Sequence, residues 1–252
     1  MSAACQRAAD APINNPAQIP AMTIFQLKQL ASSSAAAAMG AVRWNYDRAE
    51  LIADGVIHGL GIGFGLIAAT ALIVLTGVFA STPEIISVSI YAAGLLTMLG
   101  LSAAYNLWPV SPRKWWLRRL DHSAIYILIA ATYTPFMMQM KDHALAMALL
   151  AGVWSVALIG VLLKLFLPGR FDRLSIVLYL AMGWSGLAAY DTLAMSLSQM
   201  TIWFVLAGGL LYTLGVIFHT WRRLRFQNAI WHGFVLLGAA CHYTAVLDLV
   251  LT

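Results

Sequence analysis

The sequence predicts an all-α polytopic membrane protein, a seven-transmembrane helix bundle with the N-terminus cytoplasmic and the C-terminus outside. Three observations carry this. Of the 252 residues, 61% are hydrophobic and only 10% charged, with a mean hydropathy of +0.79; soluble chains run at about 45–50% apolar and about 25% charged. The apolar residues fall in seven continuous runs of about 20 residues, the length that crosses a hydrocarbon core as helix. Lys and Arg gather on one side of those runs. The charge deficit excludes an ordinary soluble enzyme, a disordered chain and a nucleic-acid binder with a polar surface.

In lipid every backbone polar group must be bonded internally, so spans are helices or a closed barrel. Continuous rather than alternating apolar runs favour helices. Residues 1–45 read as a mobile tail, polar and Pro-rich at first, then low-complexity over Ala31–Ala38; residues 46–252 read as the membrane domain. The segments expected within it are Leu51–Phe79, Glu84–Trp108, Ser123–Met140, Ala144–Leu165, Leu174–Tyr190, Thr201–Phe218 and Ile230–Val250. Short connections make sequential helices neighbours. Cys5 and Cys241 lie far apart, and neither a disulfide nor a cysteine metal site is expected.

Orientation follows from the basic residues. Arg7, Lys28, Arg43 and Arg48 precede the first segment; Arg113, Lys114, Arg118 and Arg119 follow the second; Lys164, Arg170 and Arg173 follow the fourth; Arg222, Arg223 and Arg225 follow the sixth. That is fourteen of the fifteen, and only Lys141 lies on the other side. The positive-inside rule puts the fourteen in the cytoplasm. Trp108, Trp115 and Trp116 flank the basic loop as interface anchors.

Ionisable and amide side chains inside spans are expensive and mark candidate sites. Glu50, Asp54 and His58 are spaced i, i+4, i+8 and line one face of the first segment. Ser102 and Asn106 end the second, Asp121, His122 and Ser123 begin the third, and Asn228 and His232 begin the seventh. Four segments thus bring polar residues to one depth, the cytoplasmic half. His242, ten residues beyond His232, lies about 15 Å deeper. Asp191 reads as a residue of the external turn.

Three blocks resemble the hemolysin III family of the progestin and adipoQ receptor (PAQR) superfamily, which is itself similar to alkaline ceramidases. They are AELIADGVIHGLG (Ala49–Gly61), SAAYNLWPVSPRKWWLRRLDHSAIYILIAATYTPF (Ser102–Phe136) and NAIWHGFVLLGAACHYTAV (Asn228–Val246). The resemblance implies a seven-helix protein of the inner (plasma) membrane with zinc near the cytoplasmic face. It implies three histidine ligands, one ending the second helix and two on the seventh, and a zinc-bound water held by an Asp. Carried over, Ser102 and Asp121 match the family's Ser and Asp as catalytic groups, and His232 matches the second histidine of the seventh helix. Asn106 and Asn228 stand where the other two histidines belong, and Asp54 stands where Asn is usual.

Asn is a poor zinc ligand, so three outcomes stay open. Zinc is lost to a hydrogen-bonded network; or the metal has moved to His58, Asp54, Asp121 and His232, with His122 in reach; or a harder divalent ion sits among oxygens. The metal candidates are therefore His232, His58 and Asp54, and the ligand-binding candidates Glu50, Asn106, His122 and Asn228. Membrane lipids are the expected partners, and no nucleic acid is expected. Three functions compete: a lipid-sensing or membrane-homeostasis protein with a degenerate zinc site, a metal-dependent hydrolase of lipid amides or esters, and a pore-forming cytolysin.

Overall fold

A computed structural model describes residues 46–169 and 171–252, so the expected tail lies outside the described residues. These residues form helices without strands: α1 (Arg48–Phe79), α2 (Thr82–Leu107), α3 (Pro112–Met138), α4 (His143–Phe166), α5 (Asp172–Trp184), a 3-10 turn (Ser185–Ala189), α6 (Tyr190–Ser196), α7 (Gln199–Thr220) and α8 (Gln227–Leu251).

Local chemistry sets the helix starts. Asp47 and Glu50 form a reciprocal capping box at α1, each accepting from the other's backbone N–H at 2.8 and 2.9 Å. Ser111 caps α3 with Pro112 in its first turn; Asp142 caps α4 and Ser198 caps α7 through side-chain oxygens.

Contacts at the helix ends alternate, as in an up-and-down bundle. At one end Asn106 of α2 meets Asn228 of α8, and Arg118 of α3 meets Asp172 of α5. At the other, Glu84 of α2 accepts from Gln139 after α3 at 2.7 Å, and Thr201 of α7 donates to Asp248 of α8 at 2.6 Å. The first end carries Lys114, Arg118, Arg119 and Lys164 and is the basic end. Small residues let helices close in. A Cβ at Gly208 of α7 would overlap the His242 ring of α8, and one at Gly160 of α4 would overlap the Tyr126 ring of α3.

Among the described residues six units are long and apolar enough to cross a membrane: α1, α2, α4, the stretch Asp172–Ser196, α7 and α8. The third expected span, α3, has 27 residues, about 40 Å of helix, but is not among them. Tyr126, Ala130 and Ala131 are wholly buried and most of its second half is enclosed. A helix surrounded by protein need not be apolar towards lipid, so its sequence holds Thr, Tyr and Pro135 where the outer helices hold Leu and Ile.

Two boundaries differ from expectation. The third helix begins at Pro112 rather than Ser123, because the Ser111 cap starts the turn inside the Trp- and Arg-rich stretch, where Arg119 stacks on Trp116 at 4.1 Å. The fifth segment breaks at Ser185–Ala189, where the Tyr133 hydroxyl donates to Met182 O at 2.8 Å and accepts from Gly186 N at 2.8 Å. Asp191 consequently lies in the first turn of α6, not in a turn between helices.

Candidate functional site

The buried face of α1 runs Glu50, Asp54, His58, Gly61, Gly65, Ala69, Leu72, Thr76. Its steps of three and four residues are those of a helix turning one side inward. The first three positions are polar, so α1 drives two carboxylates and an imidazole into the interior at its basic end. Ser102 and Asn106 come from the last turns of α2, and Asn228 and His232 from the first turns of α8.

These side chains form one continuous network. The Asp54 carboxylate accepts from His232 Nδ1 at 2.6 Å through one oxygen and from Asn228 Nδ2 at 2.9 Å through the other. Asn228 Nδ2 also donates to Asn106 Oδ1 at 3.0 Å. Asn106 Nδ2 donates to Ser102 O at 2.9 Å and faces His232 Nε2 at 3.5 Å. His58 Nδ1 meets the Asp54 backbone carbonyl at 2.8 Å, and its Nε2 meets Ser102 Oγ at 3.3 Å. The two imidazoles lie edge to face, with centroids 4.4 Å apart. Asp54, His58, Ser102 and His232 are each buried, at 4%, 7%, 4% and 8% exposure, so little water competes for these bonds.

Asp54 orients both imidazoles. A carbonyl or carboxylate oxygen facing Nδ1 takes its hydrogen and leaves Nε2 with a lone pair. His58 meets the Asp54 carbonyl and His232 meets its carboxylate, so both Nε2 atoms present lone pairs, towards Ser102 and Asn106. An oxygen partner on the second ring nitrogen is the usual support of a metal-ligating histidine.

The donor set itself is compatible with a divalent ion. One ligand atom from each of Asp54, His58 and His232 lies within 4.8 Å of the others, and two imidazoles with a carboxylate is a donor set used by zinc hydrolases. The His232–Asp54 contact at 2.6 Å is a hydrogen bond through Nδ1 and leaves His232 Nε2 as the nitrogen able to ligate.

The other expected site residues sit around this cluster. Glu50 is committed to capping: one oxygen takes Asp47 N–H and the other takes Phe226 N–H at 3.0 Å. Phe226 holds a left-handed backbone at φ 58°, which costs a non-glycine residue about 1–2 kcal/mol; the Glu50 bond and the Arg225 side chain over its ring at 4.8 Å hold it there. Asn228 follows two residues later, so Glu50 sets where α8 begins. Asp121 is buried and pairs with its neighbour His122 at 3.3 Å. The neighbouring Arg118 pairs with Asp172 at 2.6 Å, and Lys164 pairs with the same carboxylate at 2.7 Å. Sequence reasoning passed over Lys114, whose Nζ donates to Asn106 O at 3.0 Å and Trp108 O at 2.8 Å and so closes the last turn of α2 behind the site. In the sequence it counts only towards orientation, and no periodicity could have brought it to those carbonyls.

An all-helical bundle with six apolar spans and a buried polar cluster at its basic end is an integral membrane protein. The chain belongs to the haemolysin-III-related family, whose model matches residues 49–243, within the PAQR superfamily. Hemolysin-3 homolog of Bacillus subtilis (strain 168) is 38% identical over 198 residues, covering 79% of this chain and 93% of that protein. Hemolysin-3 of Bacillus cereus is 35% identical over 202 residues, covering 80% and 92%. The human monocyte to macrophage differentiation factor is 30% identical over 173 residues, covering 65% and 70%. No solved structure matches the chain.

Proposed function

We propose that this chain is a seven-span plasma-membrane protein, N-terminus in the cytoplasm, whose polar cluster senses lipid at the inner leaflet in membrane homeostasis. In this reading α3 is the remaining span, enclosed by the other helices. The carrying observation is what Asn106 and Asn228 do. They stand where the family resemblance places two zinc-binding histidines, and they bond to each other and to Asp54 instead. Amide and carboxylate together clasp α1, α2 and α8 through a charged network. A lipid headgroup reaching this depth would exchange hydrogen bonds with Asp54, Asn106 and Asn228 while its tails stay in hydrocarbon, which makes the helix clasp responsive to the bilayer. The test compares acyl-chain composition, after a temperature shift, of cells carrying the wild type or His232→Ala. An altered adaptation is expected, and identical adaptation would reduce the cluster to a packing element.

A second reading, a metal-dependent hydrolase of lipid amides or esters, is supported by the Asp54–His58–His232 donor set. A bound divalent ion such as zinc would polarise the carbonyl under attack and acidify a water. Asp54 would hold the imidazoles in register, Ser102 would hydrogen-bond the substrate carbonyl, and Asp121 would take or give the proton. Turnover of ceramide or another acyl-amide lipid by purified protein with added Zn²⁺ would favour it over the first; no turnover with or without Zn²⁺ would end it. A pore-forming cytolysin has the name Hemolysin-3 of its relatives in support, and a reproducible single-channel current in planar bilayers would revive it.

A further inference from the structure

Lys and Arg collect at one end of a membrane bundle, so a lysine at the opposite end is informative. Lys141 follows α3, at the end where Glu84 of α2 accepts from Gln139 and away from the Asp54–His58–His232 cluster. Its backbone N–H donates to Ser196 Oγ at 3.1 Å, and that hydroxyl donates in turn to Thr192 O at 2.8 Å. These bonds pin the α3–α4 connection against α6. Asp142, the next residue, caps α4 with one oxygen, which takes Leu145 N–H at 3.0 Å.

Lys141, Asp142, Thr192, Met195 and Ser196 line an open cleft of about 480 Å³ between this connection and α6. Small-molecule sites run at about 300–1,000 Å³. Lys141 and Asp142 are exposed neighbours of opposite charge. Among the described residues neither the Lys141 ammonium nor the second Asp142 oxygen has a hydrogen bond or an ion pair, with each other or with any other group. A cation and an anion held side by side and unpaired in one cleft complement a ligand that carries the reverse charges a few bonds apart. Leu187, Tyr190 and Met195 leave exposed apolar surface along the approach to the cleft. The cleft lies where apolar helices end, which is the depth of lipid headgroups. A phosphoethanolamine group meets these conditions: its phosphate suits Lys141 and the Thr192 hydroxyl, and its primary ammonium suits Asp142.

We propose that this cleft binds the phosphoethanolamine headgroup of a membrane lipid, with Lys141 taking the phosphate and Asp142 the ammonium. Phosphocholine carries the same charges, but its trimethylated nitrogen has no N–H to give to Asp142. Phosphatidylglycerol offers Asp142 no cation at all. Exposed ion pairs are individually modest, so the preference is several-fold rather than absolute. The site lies in the leaflet opposite the polar cluster and does not depend on the function proposed above.

Native mass spectrometry of the full chain tests this, after release from nanodiscs holding equal parts of phosphatidylethanolamine, phosphatidylcholine and phosphatidylglycerol with matched acyl chains. The wild type should retain phosphatidylethanolamine several-fold over the other two. Lys141→Gln and Asp142→Asn should each bring that retention down to the phosphatidylcholine level. Asn caps a helix as well as Asp does, so an unchanged melting temperature separates loss of the charge from loss of the fold. Equal retention of the three lipids by the wild type, or a phosphatidylethanolamine preference that survives both substitutions, overturns the proposal. Glycerophosphoethanolamine, the soluble headgroup, separates the two sources of this chemistry. It should displace the lipid only at large excess, and displacement at equal concentration would reassign the cleft to a free zwitterion and overturn the lipid assignment.

Discussion

Asp54→Ala is the sharpest perturbation of the polar cluster. The substitution removes the acceptor of the buried His232 Nδ1 and one acceptor of the half-buried Asn228 Nδ2, which keeps its bond to Asn106 Oδ1. Interhelical hydrogen bonds in membranes average about 0.6 kcal/mol and reach about 1.7. Each donor left buried without a partner adds about 1–3 kcal/mol. Removing a buried carboxylate returns part of this, since its own desolvation cost disappears. The net expectation is a destabilisation of about 2–4 kcal/mol. Asp54→Asn keeps the shape and one acceptor and should cost about half as much. Thr244→Ala is the control: its hydroxyl bonds only its own helix, at Ala240 O, on an exposed face, and the change should stay within about 0.5 kcal/mol. Reversible unfolding in mixed detergent–SDS micelles gives all three values on one scale. If Asp54→Ala falls as close to wild type as Thr244→Ala, the network does not hold α1 to α8 and the reasoning fails.

Other expectations follow from separate contacts. Gly160→Ala should destabilise by about 1–3 kcal/mol through overpacking, because the new methyl group meets the Tyr126 ring, whereas Gly59→Ala meets nothing and should be neutral or mildly stabilising; melting temperatures in nanodiscs separate the two. Tyr133→Phe strands Gly186 N–H at the 3-10 turn, and faster hydrogen exchange confined to Ser185–Ala189 should report it. The Glu50 backbone N–H, and after it the nearby Arg225 guanidinium, hold the Asp47 carboxyl below its ordinary value of 3.8. A depressed folded-state pKa means the cap is complete above the unfolded value and is lost as pH falls through the folded one. Exchange protection of the first turn of α1 should therefore persist at pH 5 and fail only in stronger acid. Finally, Asn106→His with Asn228→His would place two further imidazoles beside His232, and the double variant should retain divalent metal through chelator-free purification.

Much of this architecture was legible because membrane burial writes periodicity into sequence. The spacing of Glu50, Asp54 and His58 placed all three on the buried face of α1, and the depth argument brought Asp54, His58, Ser102, Asn106, Asn228 and His232 to one level. What sequence could not convey was which way each group turns at that level. Glu50 and Asp54 look alike on a helical wheel, yet Glu50 is drawn to backbone N–H groups at two helix starts while Asp54 reaches His232. Asp121 pairs with His122 rather than with Arg118, because Asp172 arrives from a helix far along the chain and takes that guanidinium. The left-handed Phe226 carries no sequence signal, since its conformation depends on a bond to Glu50 across the bundle. The start of α3 was missed for a local reason: its first turns are basic and aromatic, so hydropathy concealed a helix that its Ser-Pro cap announces.

On the function proposed above, Asn106 and Asn228 form a hydrogen-bonded clasp where the family resemblance places metal ligands. Metal content per mole of protein, purified without chelators, tests it most directly in the wild type and in His232→Ala. Well under one equivalent is expected in both, with no difference between them. One equivalent of zinc or another divalent ion in the wild type, lost in His232→Ala, would contradict it and make Asp54, His58 and His232 a working metal centre.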